Sequence, residues 1–482
     1  MGNASDQGPG DTGETEEFEP RLGASDSVLW DIEKDPVLRS TITAVALLDR
    51  APDWPRLRRR LEHGSHQVPR LRQRVVVPPL RAGAPRWVDD HRFDLDYHLR
   101  RVRVPEDLAS GDDPLRAALD LAQPLAMAPF DRARPLWEFT VVEGLPGGRA
   151  ALVQKVHHTV TDGVGGIRLA LMLVDGEPEA PEPEAFAPRP VAPPPGALGL
   201  VAGSLVETAA GTTRNVARLP AAAVAGARGL ARRPVGAVRD AARLGGSVAR
   251  LVRPVTEPCS PLMRERGLAR HLEAFEVPFE GLRAAGHAVD GHANDAFLAA
   301  VVGGLADYHR HHDVSLRELR FTMPINVRHE GDPMGGNRFV PARFAVPAYV
   351  RDPRARMAVV GRVARDWRDE PSLALTEPIA AALDRLPVSV TTALFGGMLK
   401  GVDAVVTNVP GVPVRHFLAG AEVVREWAFA PPSGAALSVA LLSHVGMGCV
   451  GLTIDTASVP DPDVLAACLR RSFDETVAVG GA

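Results

Sequence analysis

A proline-rich segment divides this 482-residue chain into two parts. In residues 177–195, eight of nineteen positions are proline and four are glutamate. Because proline has no backbone N–H and this composition favours extended chain, we expect a semi-rigid linker that cannot form a core. A chain of this length also exceeds the usual size of one domain. The sequence therefore predicts an N-terminal lobe at residues 21–176 and a C-terminal lobe at residues 261–482.

The rest of the connection, residues 196–255, is rich in alanine, valine and glycine and carries nine arginines against two acids. Several arginines recur at intervals that place them on one helix face. Pro220 and Pro234 would break such a helix into pieces. A basic amphipathic helix can lie on an anionic membrane or lipid surface, or it can connect two domains with solvated arginines. We interpret residues 177–260 as a linker followed by a basic crossover, and both roles for the crossover remain open.

Composition excludes several classes of protein. Residues 1–20 hold six acids and no base, so we expect a disordered acidic tail and no signal peptide. The net charge of -4 gives no reason to expect a nucleic-acid partner. Cys259, Cys449 and Cys468 are far apart, which argues against a disulfide framework or a thiolate metal site. No run of about 18 apolar residues occurs, so we expect no membrane-spanning helix and a cytoplasmic, reducing location.

Predicted strands and helices alternate in both lobes, which indicates an α/β fold. Strands are predicted from β-branched or alternating apolar runs, and helices from apolar residues three or four positions apart. In the N-terminal lobe we predict strands at residues 41–48, 135–143 and 150–156 and helices at residues 54–63, 115–121 and 163–174. In the C-terminal lobe we predict strands at residues 275–279, 319–326, 338–346, 404–408, 427–430, 436–442 and 448–455, and helices at residues 280–285, 294–309, 355–368, 379–386 and 462–477.

Residues suited to catalysis are concentrated where a predicted hairpin ends. The second strand of this hairpin delivers His157 and His158 to one fixed point. A neutral imidazole can accept a proton near pH 7. Asp162 and Gly163 follow where the next helix is predicted to begin, and an aspartate there can cap free backbone N–H groups. Each residue alone has an ordinary structural explanation, but the whole pattern His-His-x-x-x-Asp-Gly is much less expected by chance.

Two further patterns are discounted. Gly446, Gly448 and Gly451 have the spacing of a dinucleotide-binding motif, but a strand follows them in place of the helix that would bind a pyrophosphate. His311 and His312 lie in a polar stretch at a helix end, and we interpret them as surface residues. The sequence contains neither a nucleophile elbow nor a phosphate-binding loop motif.

These residues resemble a known family. His157-His158-x-x-x-Asp162-Gly163 resembles the signature of acyltransferases with the chloramphenicol-acetyltransferase-like fold, including peptide-synthetase condensation domains. The ordered set Pro135-Leu136-Trp137, Asn294-Asp295, Gly336-Asn337 and Asn408-Val409-Pro410-Gly411 is similar to that of bacterial wax ester synthase/diacylglycerol acyltransferases. This resemblance runs from about residue 25 to residue 473. Thr407 departs from the family's usual serine, and residues 323–328 depart from its usual Pro-Val-Ser-x-Arg type of block.

The resemblance implies a two-lobed fold, with mixed sheets and helices in each lobe and an active-site tunnel between the lobes. His158 would be the general base that takes the proton from a substrate hydroxyl, so that the oxygen attacks the thioester carbonyl of an acyl-CoA. The implied substrates are a long-chain acyl-CoA and either diacylglycerol or a fatty alcohol, with no cofactor and no metal. Peripheral contact with a membrane or a lipid droplet is implied as well.

The same resemblance implies supporting roles for the other motif residues. His157 would support His158, Asp162 would shape the loop, and Gly163 would permit close packing at the turn. The residues expected to pack the motif hairpin are Pro135, Leu136 and Trp137.

Two motifs in the C-terminal lobe each have two interpretations. Asn294 and Asp295 either orient the site from the second lobe or cap their own helix. Asn408 either donates a hydrogen bond to the developing oxyanion or shapes the turn before Pro410.

Two other functions remain open at this stage. The first is a condensation-type, ester-forming enzyme, which would use an acyl group bound to a carrier protein. The second is a non-catalytic protein of the lipid-droplet or membrane surface that keeps the fold and adheres through the basic crossover.

Overall fold

The computed structural model describes residues 19–81, 83–105, 111–161, 170–181, 199–203, 257–326, 339–368 and 387–481, with a few isolated residues between these ranges. Several predicted features lie outside the described residues. They are Asp162, Gly163, Gly336, Asn337, most of the acidic tail, of the linker and of the basic crossover, half of the predicted helix at residues 163–174, and the helix at residues 379–386.

The described strands form two six-stranded sheets and one small pair. The earlier strands are β1 (Thr41–Leu48), β2 (Gln73–Val76), β3 (Arg86–Asp89), β4 (Leu99–Arg103), β5 (Trp137–Leu145) and β6 (Arg149–His157). The later strands are β7 (Arg270–Pro278), β8 (Glu318–Asn326), β9 (Phe339–Pro347), β10 (Ala404–Val409), β11 (Phe417–Leu418), β12 (Ala421–Phe429), β13 (Leu437–His444) and β14 (Met447–Asp455). The first sheet has the order β11-β12-β1-β6-β5-β4, the second has the order β7-β14-β13-β10-β8-β9, and β2 pairs with β3.

The described helices pack around these sheets, and several begin at a capping residue supplied by the sequence. Asp53 accepts a hydrogen bond from the backbone N–H of Arg56 at 2.8 Å, and Asp113 accepts one from Leu115 at 2.9 Å. An aspartate at this position satisfies a backbone donor that the helix itself leaves free. The helices are α1 (Ala24–Ile32), α2 (Trp54–Gln67), α3 (Leu95–His98), α4 (Pro114–Met127), α5 (Phe279–His287), α6 (Ala293–His311), α7 (Pro353–Arg368), α8 (Val388–Lys400) and α9 (Pro462–Ala478).

Strand β1 is central to the first sheet and to the junction of the lobes. Its β-branched and apolar residues favour a buried strand, and it pairs antiparallel with both β6 and β12. Val45 lies opposite Val153 of β6 and Trp427 of β12. All three side chains are buried in a cluster that also contains Leu272 and Cys449 from the second sheet. One face of the first sheet therefore packs directly on the second lobe.

Helix α6 is the centre of the C-terminal lobe. It is buried along most of its length, which fits its nearly continuous apolar sequence. Gly303 and Gly304 let other elements approach its backbone, because a Cβ at Gly304 would overlap Leu469 of α9. The core around α6 joins one face of the second sheet to α7 and α9.

The two lobes are not strictly consecutive along the chain. Strands β11 and β12 come from the predicted C-terminal lobe, but β12 pairs with β1, β11 pairs with β12, and both extend the first sheet. A Cβ at Gly451 of β14 would overlap the carbonyl oxygen of Ala428 of β12, so glycine permits this close approach. The predicted division of the lobes at residue 261 therefore needs a correction. Residues 417–429 follow this boundary in the chain, but they belong to the first sheet.

The sequence prediction missed α8. Its first residues include valine and threonine, whose β-branched side chains favour strands over helices. Phe395 and Leu399 pack on a small core formed by Val28, Ile32 and Leu38, and this tertiary packing outweighs the weak local preference. The other predicted strands and helices in the described residues are confirmed, although their ends shift by several residues.

Candidate active site

The paired histidines lie at the end of the β5–β6 hairpin. Gly147 and Gly148 have positive φ angles of 71° and 73°, which a tight turn between the strands requires. At the other end of β6, the backbone N–H of His157 donates to the carbonyl of Leu136 at 2.9 Å, and that of His158 donates to the carbonyl of Ser40 at 2.8 Å. The backbone of both histidines is therefore fixed by neighbouring segments.

His157 is buried and held by both ring nitrogens. The backbone N–H of Thr159 donates to Nδ1 at 3.1 Å, and the Thr159 hydroxyl lies 2.8 Å from the same atom. Nδ1 accepts from this N–H, and Nε2 donates to Glu33 at 2.9 Å. The side chain of His157 is 2% exposed and both of its ring nitrogens have partners. This geometry fits the supporting role that the resemblance implies, and that role stays a prediction.

Glu33 connects this histidine to two other segments. Its Oε1 accepts from the backbone N–H of Ser40 at 2.6 Å, and its Oε2 pairs with Arg132 at 2.9 Å. Burial by itself raises the pKa of Glu33, but its interaction with His157, the hydrogen bond from the Ser40 N–H and the charge of Arg132 together lower that pKa to about 2. Sequence analysis missed Glu33, because a lone acid at a helix end gives no signal of a partner far along the chain.

His158 follows the last residue of β6 and lies in the turn at residues 158–160. Thr41 is opposite His157 in the β1–β6 register, and the bond to Ser40 continues this pairing by one residue. The side chain of His158 is half-buried, whereas that of His157 is buried. The pair thus has one anchored ring and one ring nearer to solvent.

The motif Pro135-Leu136-Trp137 packs under this hairpin. All three residues are buried, and the indole N–H of Trp137 donates to the carbonyl of Leu71 at 2.8 Å. The ring of His98 stacks on Trp137 with centroids 4.6 Å apart and approaches its carbonyl through Nδ1 at 2.7 Å. Burial lowers the pKa of His98 to about 4, despite the bond to this carbonyl, so the stacked ring is neutral at pH 7. These contacts hold the strand that positions His157.

The motif residues on α6 have structural partners. Asp295 accepts from the backbone N–H of His292 at 2.9 Å and pairs with Arg365 of α7 at 3.1 Å, so it caps its own helix. The amide nitrogen of Asn294 lies 3.8 Å from the sulfur of Met323 on β8. Of the two interpretations of Asp295, the geometry favours capping.

Asn408 and Gly411 lie near the end of β10. Asn408 is exposed and shares a strand face with Ala404 and Val406, whose side chains belong to the core around α6. Its role as an oxyanion donor stays a prediction. Gly411 has a clear packing reason, because a Cβ there would overlap the carbonyl oxygen of Ser443.

Two openings lie beside the motif. A cleft with an empty volume of about 500 Å³ lies between the lobes and is lined by Thr41 and Thr43 of β1 and by Arg270 and Leu272 of β7. A second, small opening lies on the other face of β1 and β6 and is lined by Ala46 and Leu152. The two openings therefore lie on opposite faces of the strands that end at the paired histidines.

The structure agrees with the sequence in discounting the glycine pattern at Gly446 and the pair of His311 and His312. Met447, next to the turn at Gly446, begins strand β14, so the glycine pattern does not open a helix. His311 and His312 are exposed, as interpreted from the sequence.

Among the described residues, the group His271, Glu273 and Asp463 brings three possible metal ligands within 4.8 Å. Arg116 and Arg470 both pair with Glu273, which disfavours a cation there. That no metal takes part stays a prediction.

Family models match most of the chain. The model for the wax ester synthase/diacylglycerol acyltransferase catalytic domain matches residues 22–297, and the model for the C-terminal domain of these enzymes matches residues 335–476. A protein of Mycobacterium tuberculosis strain H37Rv, described as a candidate diacylglycerol O-acyltransferase, is 38% identical over 98% of this chain and 94% of its own length. The chain belongs to the wax ester synthase/diacylglycerol acyltransferase family. By this membership it is an acyltransferase.

Solved structures support the fold of this wax ester synthase/diacylglycerol acyltransferase family member. The wax ester synthase/diacylglycerol acyltransferase of Marinobacter aquaeolei VT8 superposes with a TM-score of 0.62 at 18% identity and covers 96% of this chain and 100% of that chain. A starter condensation domain of rhizomide synthetase, solved with C8-CoA, superposes with a TM-score of 0.58 at 14% identity and covers 96% and 94%. The predicted two-lobed, chloramphenicol-acetyltransferase-like α/β fold is thus confirmed.

Proposed function

We propose that this acyltransferase moves a long-chain acyl group from CoA to the hydroxyl of diacylglycerol, of a fatty alcohol, or of both. The observation that supports this most is the unequal environment of the paired histidines. His157 is anchored through Glu33 and Thr159, while His158, in the turn just after the strand, is half-buried. Such an arrangement suits one positioning residue and one general base.

In this mechanism His158 accepts the proton of the acceptor hydroxyl as its oxygen attacks the thioester carbonyl. The C–O bond of the new ester forms and the C–S bond breaks, so CoA leaves as a thiolate. A thiol of this kind has a pKa of about 8.5, and the imidazolium returns its proton to the sulfur. General-base assistance of this kind contributes about 10²–10⁴ in rate. The step needs no acyl-enzyme, no cofactor and no metal.

Support for acyl-CoA as donor comes from two sources. Family membership makes the chain an acyltransferase, and the rhizomide synthetase domain of the same fold was solved with C8-CoA. Support for diacylglycerol as acceptor comes from the description of the Mycobacterium tuberculosis relative. The wax ester alternative comes from the family description and from the Marinobacter structure.

Contact with a lipid surface belongs to the same proposal, because diacylglycerol and fatty alcohols partition into lipid. Within the part of the chain that is described, the helices are too short or too polar to cross a bilayer. We therefore expect peripheral binding to a membrane or a droplet. The arginines of residues 196–255 would supply the attraction to anionic lipid.

The test is an assay with radiolabelled palmitoyl-CoA in which diolein and hexadecanol are offered in parallel, and a carrier-bound acyl group replaces the CoA ester in a third arm. The proposal predicts labelled triacylglycerol, wax ester or both from the CoA ester. Transfer from the carrier-bound donor alone would support the condensation-type alternative. Absence of product in every arm would support a non-catalytic lipid-surface protein.

A further inference from the structure

Lys155 is a buried cation on the strand that carries His157. The two residues are two positions apart in β6, so their side chains lie on the same face of the sheet. The Lys155 side chain is only 2% exposed, and within the part of the chain that the structure describes its Nζ has no hydrogen-bond partner. Taking an ammonium group out of water costs free energy, and burial accordingly lowers the pKa of Lys155. The proposed transfer step gives this lysine no role.

An acid balances the charge of Lys155 only in part. Glu138 of β5 is opposite Lys155 in the register, and its Oε2 lies 3.7 Å from Nζ. The same oxygen is 3.3 Å from Arg100 of β4, so Glu138 has a guanidinium partner as well. Apolar side chains of similar volume can often replace buried ions without loss of stability. Stability alone therefore does not require a lysine at this position.

The ammonium group of Lys155 lies over the ring of Phe130. Nζ is 4.3 Å from the ring centroid, which is within the range of a cation–π interaction. Such a contact is stronger when it is desolvated, because water does not compete for the cation. Phe130 belongs to the segment between α4 and β5, which also supplies Arg132 to Glu33. Lys155 therefore holds one ring of the segment that borders the site.

Phe130 in turn contacts the imidazole of His157. The two ring centroids are 6.0 Å apart with an interplanar angle of 69°, which is an edge-to-face arrangement. Trp30 makes a second edge contact with the same imidazole, with centroids 5.9 Å apart. A cation lies over each of these aromatic rings, Lys155 over Phe130 and Arg132 over Trp30. The ring of His157 is thus oriented by aromatic neighbours that are themselves held by cations.

The orientation of the His157 ring determines the geometry of the turn that carries His158. Nδ1 of His157 accepts from the backbone N–H of Thr159, the residue directly after His158, at 3.1 Å. The carbonyl of His157 accepts from the N–H of Val160 at 2.9 Å. A rotation of the imidazole would break the first of these bonds and loosen the turn. The direction in which His158 points therefore depends on the ring of His157.

We propose that Lys155 is a positioning residue, whose ammonium group fixes the Phe130 ring against His157 and so keeps the turn with His158 in its catalytic geometry. This inference rests on the proposed general-base role of His158. Since its side chain is buried, Lys155 has no contact with a substrate. Its charge acts through the ring of Phe130, so the two residues should behave as one unit.

The experiment is a double-mutant cycle on Lys155 and Phe130, measured as kcat and KM for palmitoyl-CoA with diolein and with hexadecanol. Lys155→Met removes the charge and nearly keeps the volume, and Phe130→Leu removes the ring. We expect each single variant to lower kcat about tenfold and to change KM by less than about twofold. The double variant should be no slower than Phe130→Leu, because both substitutions break the same contact.

Two further variants support the cycle. Lys155→Gln keeps a donor toward Glu138 without the charge, and it replaces Lys155→Met if that protein does not fold. Arg101→Met is the matched control, because the Arg101 guanidinium also lies over a ring, that of Trp54 at 5.1 Å, but on the edge strand β4. It should leave kcat and KM unchanged.

A second readout does not depend on turnover. In protein with isotope-labelled histidine, the ring current of Phe130 contributes to the chemical shifts of the His157 ring protons. Lys155→Met should therefore move the His157 signal, which is assigned with His157→Gln. Arg101→Met should leave that signal in place.

Wild-type kcat in folded Lys155→Met would overturn the inference while leaving the acyltransferase proposal intact, and so would losses in the two single variants that multiply in the double variant. A wild-type protein without turnover would instead overturn the proposed function. The histidine spectrum would then decide the inference, since an unchanged His157 signal in Lys155→Met would overturn it.

Discussion

Glu33 and His157 are 124 residues apart in the chain, yet their side chains form a 2.9 Å hydrogen bond at the centre of the site. The same carboxylate accepts from the N–H of Ser40, whose carbonyl in turn accepts from the N–H of His158. One buried acid therefore fixes the side chain of the first histidine and, through Ser40, the backbone of the second. Glu33 is a positioning residue by this geometry.

Replacing Glu33 tests this role. Glu33→Ala leaves the Ser40 N–H, the His157 N–H and Arg132 without their acceptor, and we expect a loss of about 1.5–3 kcal/mol in the free energy of unfolding. Because His158 would be displaced, kcat should fall by about 10²-fold with little change in KM. Glu33→Gln keeps an acceptor oxygen and should recover part of kcat.

Steady-state kinetics and thermal unfolding of both Glu33 variants check this prediction. Arg132→Gln is the control, because the Arg132 side chain is 41% exposed and its pairing with Glu33 should contribute less than about 1 kcal/mol. Wild-type kcat in a folded Glu33→Ala protein would show that the acid does not position the pair.

The buried carboxyl group of Glu426 should make the stability of the protein depend on pH. Its pKa is raised from 4.5 to about 7 by burial, so the folded protein keeps a proton that the unfolded chain has already lost. Stability should therefore fall as pH rises from about 4.5 to about 7 and then level off, with a total of about 3 kcal/mol from this group.

Glu426→Gln should remove this dependence, since a neutral amide replaces the acid. We expect the variant to be similar to the wild type in Tm at pH 4.5 and more stable than it at pH 8. Thermal melts of both proteins across this range give the comparison. If the Tm values of the two proteins differed by the same amount at every pH, the pKa of Glu426 would not be raised in the folded protein.

Replacing Gly451 tests the close contact between the two six-stranded sheets. A Cβ at this position would overlap the Ala428 carbonyl oxygen, and backbone atoms cannot move aside cheaply. Gly451→Ala should cost about 1–3 kcal/mol in the free energy of unfolding, measured by urea denaturation. Gly397→Ala in α8 is the matched control: a Cβ there meets nothing within 4 Å, so it should stabilise by about 0.5–1 kcal/mol. Equal urea midpoints for the two variants would contradict the packing argument.

The sequence predicted features that depend on local pattern. The β5–β6 hairpin has alternating apolar strands and a Pro-Gly-Gly turn, so the place of His157 and His158 at a strand end followed from neighbouring residues. The discounted glycine pattern was also resolved locally, because the residues after Gly446 have the composition of a strand.

Features that depend on distant contacts were not predicted. Nothing near residues 421–429 shows that this strand pairs with β1, more than 370 residues earlier, in the first sheet. Glu33 gives no local sign of a bond to His157, and the valines and threonines of α8 favour the wrong secondary structure. In each case the decisive energy comes from tertiary packing, which a local pattern does not contain.

The central claim is that His158 is the general base, and the most direct measurement is kcat of the His158→Ala protein with palmitoyl-CoA and each acceptor, taken together with its Tm. We expect kcat to fall by a factor of about 10²–10⁴ with an unchanged Tm. His157→Ala, by contrast, should lower Tm, because it breaks the bonds to Glu33 and Thr159. A His158→Ala protein that transfers the acyl group at the wild-type rate would contradict the account.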